Sequence, residues 1–122
     1  MNLNKNIVLV GMMGSGKSTI GYFLSKSTDL IFVDVDKAIE KKTGLKIIDI
    51  FEKKGEVYFR NLEEKITLNL LKEEKKILSL GGGAFLNSSI RKEISSLVKK
   101  YKQQIQKIWR WAYFNSKFKR TL

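Results

Sequence analysis

Cysteine, histidine and proline are all missing from this chain. Without cysteine there is no disulfide framework and no thiolate metal site, and without histidine the usual general base and zinc ligand are lost as well. Any proton transfer must therefore fall to carboxylates, lysine, tyrosine or water. No apolar run approaches the roughly 20 residues that a membrane-spanning helix needs.

The remaining composition, 43% hydrophobic and 30% charged over 122 residues, is typical of one soluble globular domain. The first residues lead directly into a short apolar run, with no signal-peptide pattern, so we expect a cytoplasmic protein. The net charge of +12 is uneven, because residues 98–122 contain eight bases and no acid. Lysine far outnumbers arginine, and we attribute most of this excess to the nucleotide composition of the gene.

Residues 11–19, Gly-Met-Met-Gly-Ser-Gly-Lys-Ser-Thr, match the P-loop pattern G-x-x-x-x-G-K-[ST]. An apolar run at residues 7–10 precedes them and a helix-compatible segment follows, which is the context that the motif requires. Glycines let backbone N–H groups form a cradle for phosphates, and the helix N-terminus adds its positive dipole end. Lys17 would reach the β- and γ-phosphates, and the Ser18 hydroxyl would bind Mg²⁺. A chance glycine-rich turn is the weaker alternative.

The rest of the chain alternates between strand and helix patterns, which predicts parallel strands in an α/β layered fold. Ligands in such sheets bind at the carboxyl ends of the strands, where the P-loop, two aspartates and a triple glycine would meet. The predicted strands cover residues 7–10, 30–33 and 76–80; the predicted helices cover 37–42, 47–54, 56–74 and 88–100, the last with Asn87 as its N-cap.

Asp34 and Asp36 follow the second predicted strand. In extended geometry, residues two apart point the same way, so we expect both carboxylates at the mouth of the sheet. One would suit Mg²⁺ or its water shell, and the other a hydroxyl that loses its proton as it attacks a phosphate. A solvated strand end with a helix N-cap is the alternative.

Arg60 lies on the longest predicted helix, four residues after Glu56 and just before Glu63 and Glu64. Its spacing favours an ion pair with Glu56 along the helix. A bidentate clamp on a substrate carboxylate is the functional alternative, and Arg is better suited to it than Lys.

Taken together, these blocks resemble the shikimate kinase family of P-loop kinases, which transfer the γ-phosphate of ATP to the 3-hydroxyl of shikimate on the route to chorismate and aromatic amino acids. The resemblance covers residue 5 to about residue 97. The matching blocks are the P-loop through Gly21, Phe32-Val33-Asp34-Val35-Asp36, Ile50 to Arg60 with its Phe51-Glu52-Lys53-Lys54-Gly55-Glu56 core, and Leu80-Gly81-Gly82-Gly83-Ala84.

The resemblance implies a role for each matching position. The phosphates of ATP would be held by Gly14, Ser15, Gly16, Lys17, Ser18 and Thr19, and Lys17 would also stabilise the transferred charge. Ser18 and Asp34 would hold Mg²⁺ or its waters. Asp36 would bind the shikimate hydroxyl and orient or deprotonate it, Arg60 would pair with the shikimate carboxylate, and Gly82 would present its backbone to the substrate.

The chain also departs from the family. Two further strands, a lid with its Arg-Pro-Leu segment, a second substrate arginine and an adenine loop are not recognisable here, and the missing proline excludes the usual lid segment. We therefore expect an incomplete three-layer P-loop kinase fold with three strands in residues 1–98, followed by a basic aromatic tail, residues 99–122. A truncated or frame-shifted gene product would explain the change, and weak or no turnover would follow.

Two alternatives stay open at this point. One is another small-molecule P-loop kinase, acting for example on gluconate or a nucleotide. The other is a non-catalytic nucleotide-binding remnant whose basic tail, which contains Trp109 and Trp111, contacts RNA or an acidic partner. The favoured interpretation predicts a monomer that uses ATP, Mg²⁺ and shikimate and that binds neither membranes nor nucleic acid.

Overall fold

The computed structural model describes residues 5–11 and 16–100, with side chains to residue 98. The tail predicted at residues 99–122 therefore lies almost wholly outside the described residues. The elements in chain order are β1 (Ile7–Leu9), α1 (Lys17–Ser27), β2 (Ile31–Asp34), α2 (Val35–Thr43), α3 (Ile47–Lys54), α4 (Glu56–Lys72), β3 (Lys76–Ser79), a 3₁₀ turn (Ala84–Leu86) and α5 (Ser88–Lys100).

The three strands form a parallel sheet in the order β1-β3-β2, which confirms the predicted α/β class and strand number. Leu78 of the central strand lies opposite Val8 of β1 on one side and Val33 of β2 on the other. Ile77 and Leu78 are fully buried, whereas Ile31 on β2 is 58% exposed. In the described sheet β1 lies at an edge, and its residues are only half-buried.

Asn6 fixes where β1 begins relative to β3. Its side-chain oxygen accepts from the backbone N–H of Lys76 at 2.9 Å, and its side-chain nitrogen donates to the carbonyl of Glu73 at 2.6 Å. At the other end, the N–H of Leu80 donates to the carbonyl of Leu9 at 3.0 Å. The residues after β3 are thereby held beside the start of the P-loop.

Side-chain caps and glycines set the helix ends. The Asp34 carboxylate accepts from the N–H of Lys37 and begins α2, and Gly44 ends that helix with φ of 71°. Gly55 ends α3 with φ of 88°, also in the left-handed region that favours glycine. Asn87 caps α5 as predicted, accepting from the N–H of Ile90 at 3.0 Å.

The core lies between the sheet and helices α2 to α4. Phe59, Ile66 and Leu71 of α4 are buried, as the helical spacing predicts. Val57, in the first turn of the same helix, is 75% exposed, because only one side of that turn faces the core. A glutamate, Glu63, lies within the buried stripe instead.

By internal contacts the chain divides into two compact units, Met1–Arg91 and Lys92–Leu122, and the site described below lies within the first. Among the described residues, no helix is both long and apolar enough to cross a membrane.

Candidate active site

A cavity of about 420 Å³ opens at the carboxyl ends of the strands. Three parts of the chain line it: residues 16–19 at the start of α1, the aspartates Asp34 and Asp36, and residues 79–82 at the end of β3. These segments were predicted from the sequence to meet at this edge of the sheet. The structure therefore brings together Gly16, Lys17, Ser18, Thr19, Asp34, Asp36 and Gly82.

The P-loop side of the cavity is the N-terminus of α1. Gly16 precedes the helix with φ of 91°, a backbone conformation that favours glycine. The side-chain amine of Lys17, the first helical residue, donates to the carbonyl of Gly11. The unpaired N–H groups of a first helical turn provide a positive electrostatic environment for phosphate. Gly14 and Ser15, also predicted to bind phosphate, lie outside the described residues.

Asp34 and Ser18 are the oxygen donors predicted for Mg²⁺, and both line the cavity. The α2 cap uses one oxygen of Asp34, at 3.3 Å from the N–H of Lys37. Within the described residues no cluster of three or more carboxylates, histidines or cysteines forms a metal cage. A hydroxyl with a single carboxylate fits Mg²⁺ bound mainly through waters and substrate phosphates.

Asp36 lies in the first turn of α2, so the expectation that it continues the extended strand was wrong. The chain turns at Asp34, whose carboxylate caps α2 and ends the strand geometry. Asp36 still reaches the cavity, because the first turn of α2 lies at the carboxyl end of β2. A Cβ at Gly81 would lie 2.9 Å from Asp36 Oδ1, so the carboxylate packs directly against the glycine backbone.

The pKa of Asp36 is raised above its usual range, chiefly by burial and next by the negative charge of Asp34. Lys17 and Arg60 act in the opposite direction, because their positive charges stabilise the ionised carboxylate. Asp36 is thus a partly desolvated carboxylate that faces a cation from each side of the site.

Arg60 is one turn into α4 and is held by two carboxylates. Its Nη1 lies 2.9 Å from Glu63 Oε1, and its Nε lies 3.6 Å from Glu56 Oε1. The guanidinium carbon is 5.2 Å from the ring centroid of Phe59. The ion pair with Glu56 that the spacing favoured is present. Among the described residues, Arg60 is not part of the cavity lining, but its guanidinium packs against Gly83, the residue after the lined segment.

Glu63 is the buried partner of Arg60, and the sequence interpretation did not single it out. Its side chain is 3% exposed and its pKa is raised, chiefly by burial, while the hydrogen bond and charge of Arg60 lower it. Its position four residues after Phe59 and three before Ile66, in the apolar stripe of α4, was the available signal. A buried carboxylate at that position needs a partner, and Arg60 is that partner.

Gly82 lines the cavity with open space around it. A Cβ there would meet nothing within 4 Å, in contrast to those at its two neighbours, Gly81 and Gly83. The backbone of Gly82 is therefore accessible to a ligand in the cavity.

A family model described as shikimate kinase matches residues 13–121. A shikimate kinase of Sulfurihydrogenibium is 54% identical over 83 residues, which cover 68% of this chain and 50% of that protein. The shikimate kinase of Bacillus subtilis is 47% identical over 88 residues, covering 71% of this chain and 47% of that one.

Solved structures agree with these matches. The shikimate kinase of Aquifex aeolicus gives a TM-score of 0.70 at 45% identity, covering 75% of this chain and 58% of that one. The Acinetobacter baumannii enzyme, solved in complex with shikimate, gives 0.71 at 42% identity, covering 74% and 50%. The chain spans about half the length of the curated relatives that it matches. On the evidence of sequence, fold and the match over residues 13–121, the chain belongs to the shikimate kinase family.

Proposed function

We propose that this chain transfers the γ-phosphate of ATP to the 3-hydroxyl of shikimate. The observation that carries the proposal is that one cavity is lined both by the P-loop residues Lys17 and Ser18 and by the acceptor-side residues Asp36 and Gly82. Family membership supports the same assignment. A phosphoryl donor and a small hydroxylated acceptor could meet there without leaving the cavity.

On the donor side, the N–H groups around residues 16–19 bind the phosphates, and Lys17 exchanges the Gly11 carbonyl for phosphate oxygens. Gly14 and Ser15, two matching family positions outside the described residues, would extend that cradle. Ser18 and Asp34 would hold Mg²⁺, which would neutralise charge on the phosphates.

On the acceptor side, Asp36 accepts a hydrogen bond from the 3-hydroxyl, Arg60 pairs with the carboxylate of shikimate, and the backbone of Gly82 contacts the ring substituents. In the transfer step the hydroxyl oxygen forms a bond to the γ-phosphorus, the bond from that phosphorus to the bridging oxygen breaks, and ADP leaves. The hydroxyl proton passes to Asp36. Positioning and charge stabilisation supply most of the rate in such reactions, so a chain without histidine can perform them.

The proposal extends to a cytoplasmic location and a monomeric state. Sedimentation of the purified chain would test the monomeric state. Magnesium dependence is tested by chelation, which should stop transfer, with activity returning on addition of Mg²⁺.

The function is tested by incubating the full chain with ATP and one acceptor at a time: shikimate, gluconate or a nucleoside monophosphate. We expect ³¹P NMR to detect a new phosphate ester with shikimate alone, at a slow rate because the chain lacks a recognisable lid segment. Transfer to another acceptor in preference to shikimate would overturn the assignment, as would no transfer with any of them. Rapid turnover would contradict only the expected slow rate.

Asp36→Asn should lower the rate by roughly 100-fold to 10,000-fold, because general base catalysis contributes about that much. The matched control is Asp49→Asn on α3, which removes a carboxylate from outside the cavity lining. An equal loss in both variants would show that the effect is not specific to the site.

A further inference from the structure

The three consecutive glycines after β3 have three different environments. A Cβ at Gly81 would lie 2.9 Å from the carboxylate of Asp36, and one at Gly83 would overlap the guanidinium of Arg60. Between them, a Cβ at Gly82 would meet open space. The outer two glycines thus lie against the two charged side chains of the acceptor side.

The guanidinium of Arg60 is enclosed on several sides. Glu63 and Glu56 hold its nitrogens, and the rings of Phe59 and Phe51 lie 5.2 and 6.0 Å from its central carbon. Gly83 closes a further side, where any side chain would occupy the same volume as the guanidinium. The position of the cation therefore depends on a residue that has no side chain.

We propose that Gly83 is a positioning residue for Arg60, and that Gly81 does the same for Asp36. The absent side chains leave the volumes that the guanidinium and the carboxylate occupy, so the glycine run sets where these two groups lie on either side of the accessible Gly82 backbone. The part of this inference that concerns substrate rests on the proposed function, whereas the part that concerns Arg60 does not.

Gly83→Ala tests the contact with Arg60 without backbone strain. The backbone of Gly83, with φ of −91° and ψ of −13°, has a right-handed geometry that alanine can adopt. The methyl group would act by displacing Arg60, without straining the main chain. Gly82→Ala is the matched control for the measurement without ligand, since its methyl group enters open space and leaves Arg60 in place.

The first measurement uses no ligand. The pKa of Glu63 is followed by ¹³C NMR of carboxyl-labelled glutamate, with its resonance assigned by loss in Glu63→Gln. Because Arg60 lowers the pKa of Glu63, displacement of the guanidinium by Gly83→Ala should raise it, and Gly82→Ala should not. In an Arg60→Ala background, Gly83→Ala should cause no further change. An unchanged pKa in Gly83→Ala, or an equal change in both backgrounds, would overturn the inference.

The second measurement is the dissociation constant for shikimate by calorimetry. We expect Gly83→Ala to weaken binding about tenfold, as the loss of a charge-assisted hydrogen bond does. If Gly83→Ala shifts the pKa of Glu63 and the parent chain binds no shikimate, the positioning of Arg60 is supported and the proposed function is contradicted. Undiminished shikimate binding alongside a shifted pKa would overturn the substrate part alone.

Discussion

Lys17 and Arg60 are both cations of the site, and they are held in different ways. Lys17 donates to one neutral group, the carbonyl of Gly11. Arg60 pairs with the carboxylates of Glu56 and Glu63, and its guanidinium packs between aromatic rings and a glycine. An ammonium group on a neutral carbonyl gains a partner of opposite charge when phosphate arrives. A guanidinium already fixed in place loses less side-chain entropy when it meets a carboxylate.

The difference separates the two halves of the proposed reaction. The donor side has a cation with one neutral partner that phosphate can replace, and the acceptor side has a cation whose orientation is set before the substrate arrives. Both lower the pKa of Asp36, so the carboxylate at the centre of the site is sensitive to the position of each cation.

Lys17→Met should have the largest effect on ligand binding. We expect the dissociation constant for ATP to rise by roughly 10-fold to 100-fold, because a hydrogen bond to a charged group contributes about 1.5–3 kcal/mol. Shikimate affinity should stay within about twofold of the parent, since the substitution is on the donor side. Calorimetry with each ligand separately measures both constants.

The control is Lys26→Met, which removes a lysine from the last turn of α1, where it lies over the ring of Tyr22. That variant should bind ATP like the parent. Equal losses of ATP and shikimate affinity in Lys17→Met would contradict the division into two halves.

Arg60→Lys should have an effect of intermediate size, and it should weaken the binding of shikimate instead of ATP. Lysine keeps the charge but loses the planar, two-pronged geometry, so shikimate should bind about fivefold more weakly while ATP affinity is unchanged. Arg91→Lys, at an exposed position of α5, provides the matched control. If Arg60→Lys binds shikimate as well as the parent does, the fixed orientation of the guanidinium has no importance for binding.

Glu63→Gln should have the smallest effect, and this effect should be on the stability of the folded protein. Burial raises the pKa of Glu63 in the folded protein above its ordinary value of 4.5. At a pH between 4.5 and this raised pKa, the folded state therefore keeps a proton that the unfolded chain has lost. The stability contributed by Glu63 is therefore present below pH 4.5 and is lost as the pH rises through the folded pKa. Glutamine cannot titrate, so the variant should lose less stability over this range.

Urea unfolding at a series of pH values measures this difference, which we expect to be on the order of 1 kcal/mol. Asp36 also has a raised pKa and contributes a slope of the same sign, so some pH dependence should remain in the variant. Glu52→Gln, at an exposed position of α3, shows the effect of losing a surface carboxyl. A variant whose stability falls with pH as steeply as that of the parent would contradict the assignment to Glu63.

Much of the fold could be predicted from local patterns. The bounds of α3 and the cap of α5 at Asn87 agree with the sequence interpretation, because spacing of apolar residues and capping chemistry act over a few neighbouring positions. The extended geometry expected at Asp36 was wrong for a local reason too, since Asp34 is a good N-cap and begins the helix two residues earlier. The shikimate kinase family was also identified correctly, from the sequence blocks around the P-loop, the two aspartates, Arg60 and the three glycines.

By itself the sequence determined the P-loop with Lys17, the parallel α/β class and the candidate residues Asp34 and Asp36, because each depends on neighbours close in the chain. The family resemblance added Arg60 and Gly82 as candidates. Only the tertiary structure decided that Glu63 is buried behind Arg60 and that the three glycines differ, with Gly83 lying against a guanidinium more than twenty residues away. The physical reason is that a glycine in a sequence gives no indication of which side chain packs against it, and a buried carboxylate cannot be distinguished from a surface carboxylate by residue type. Close packing of α4 against the segment after β3 gives both residues their roles.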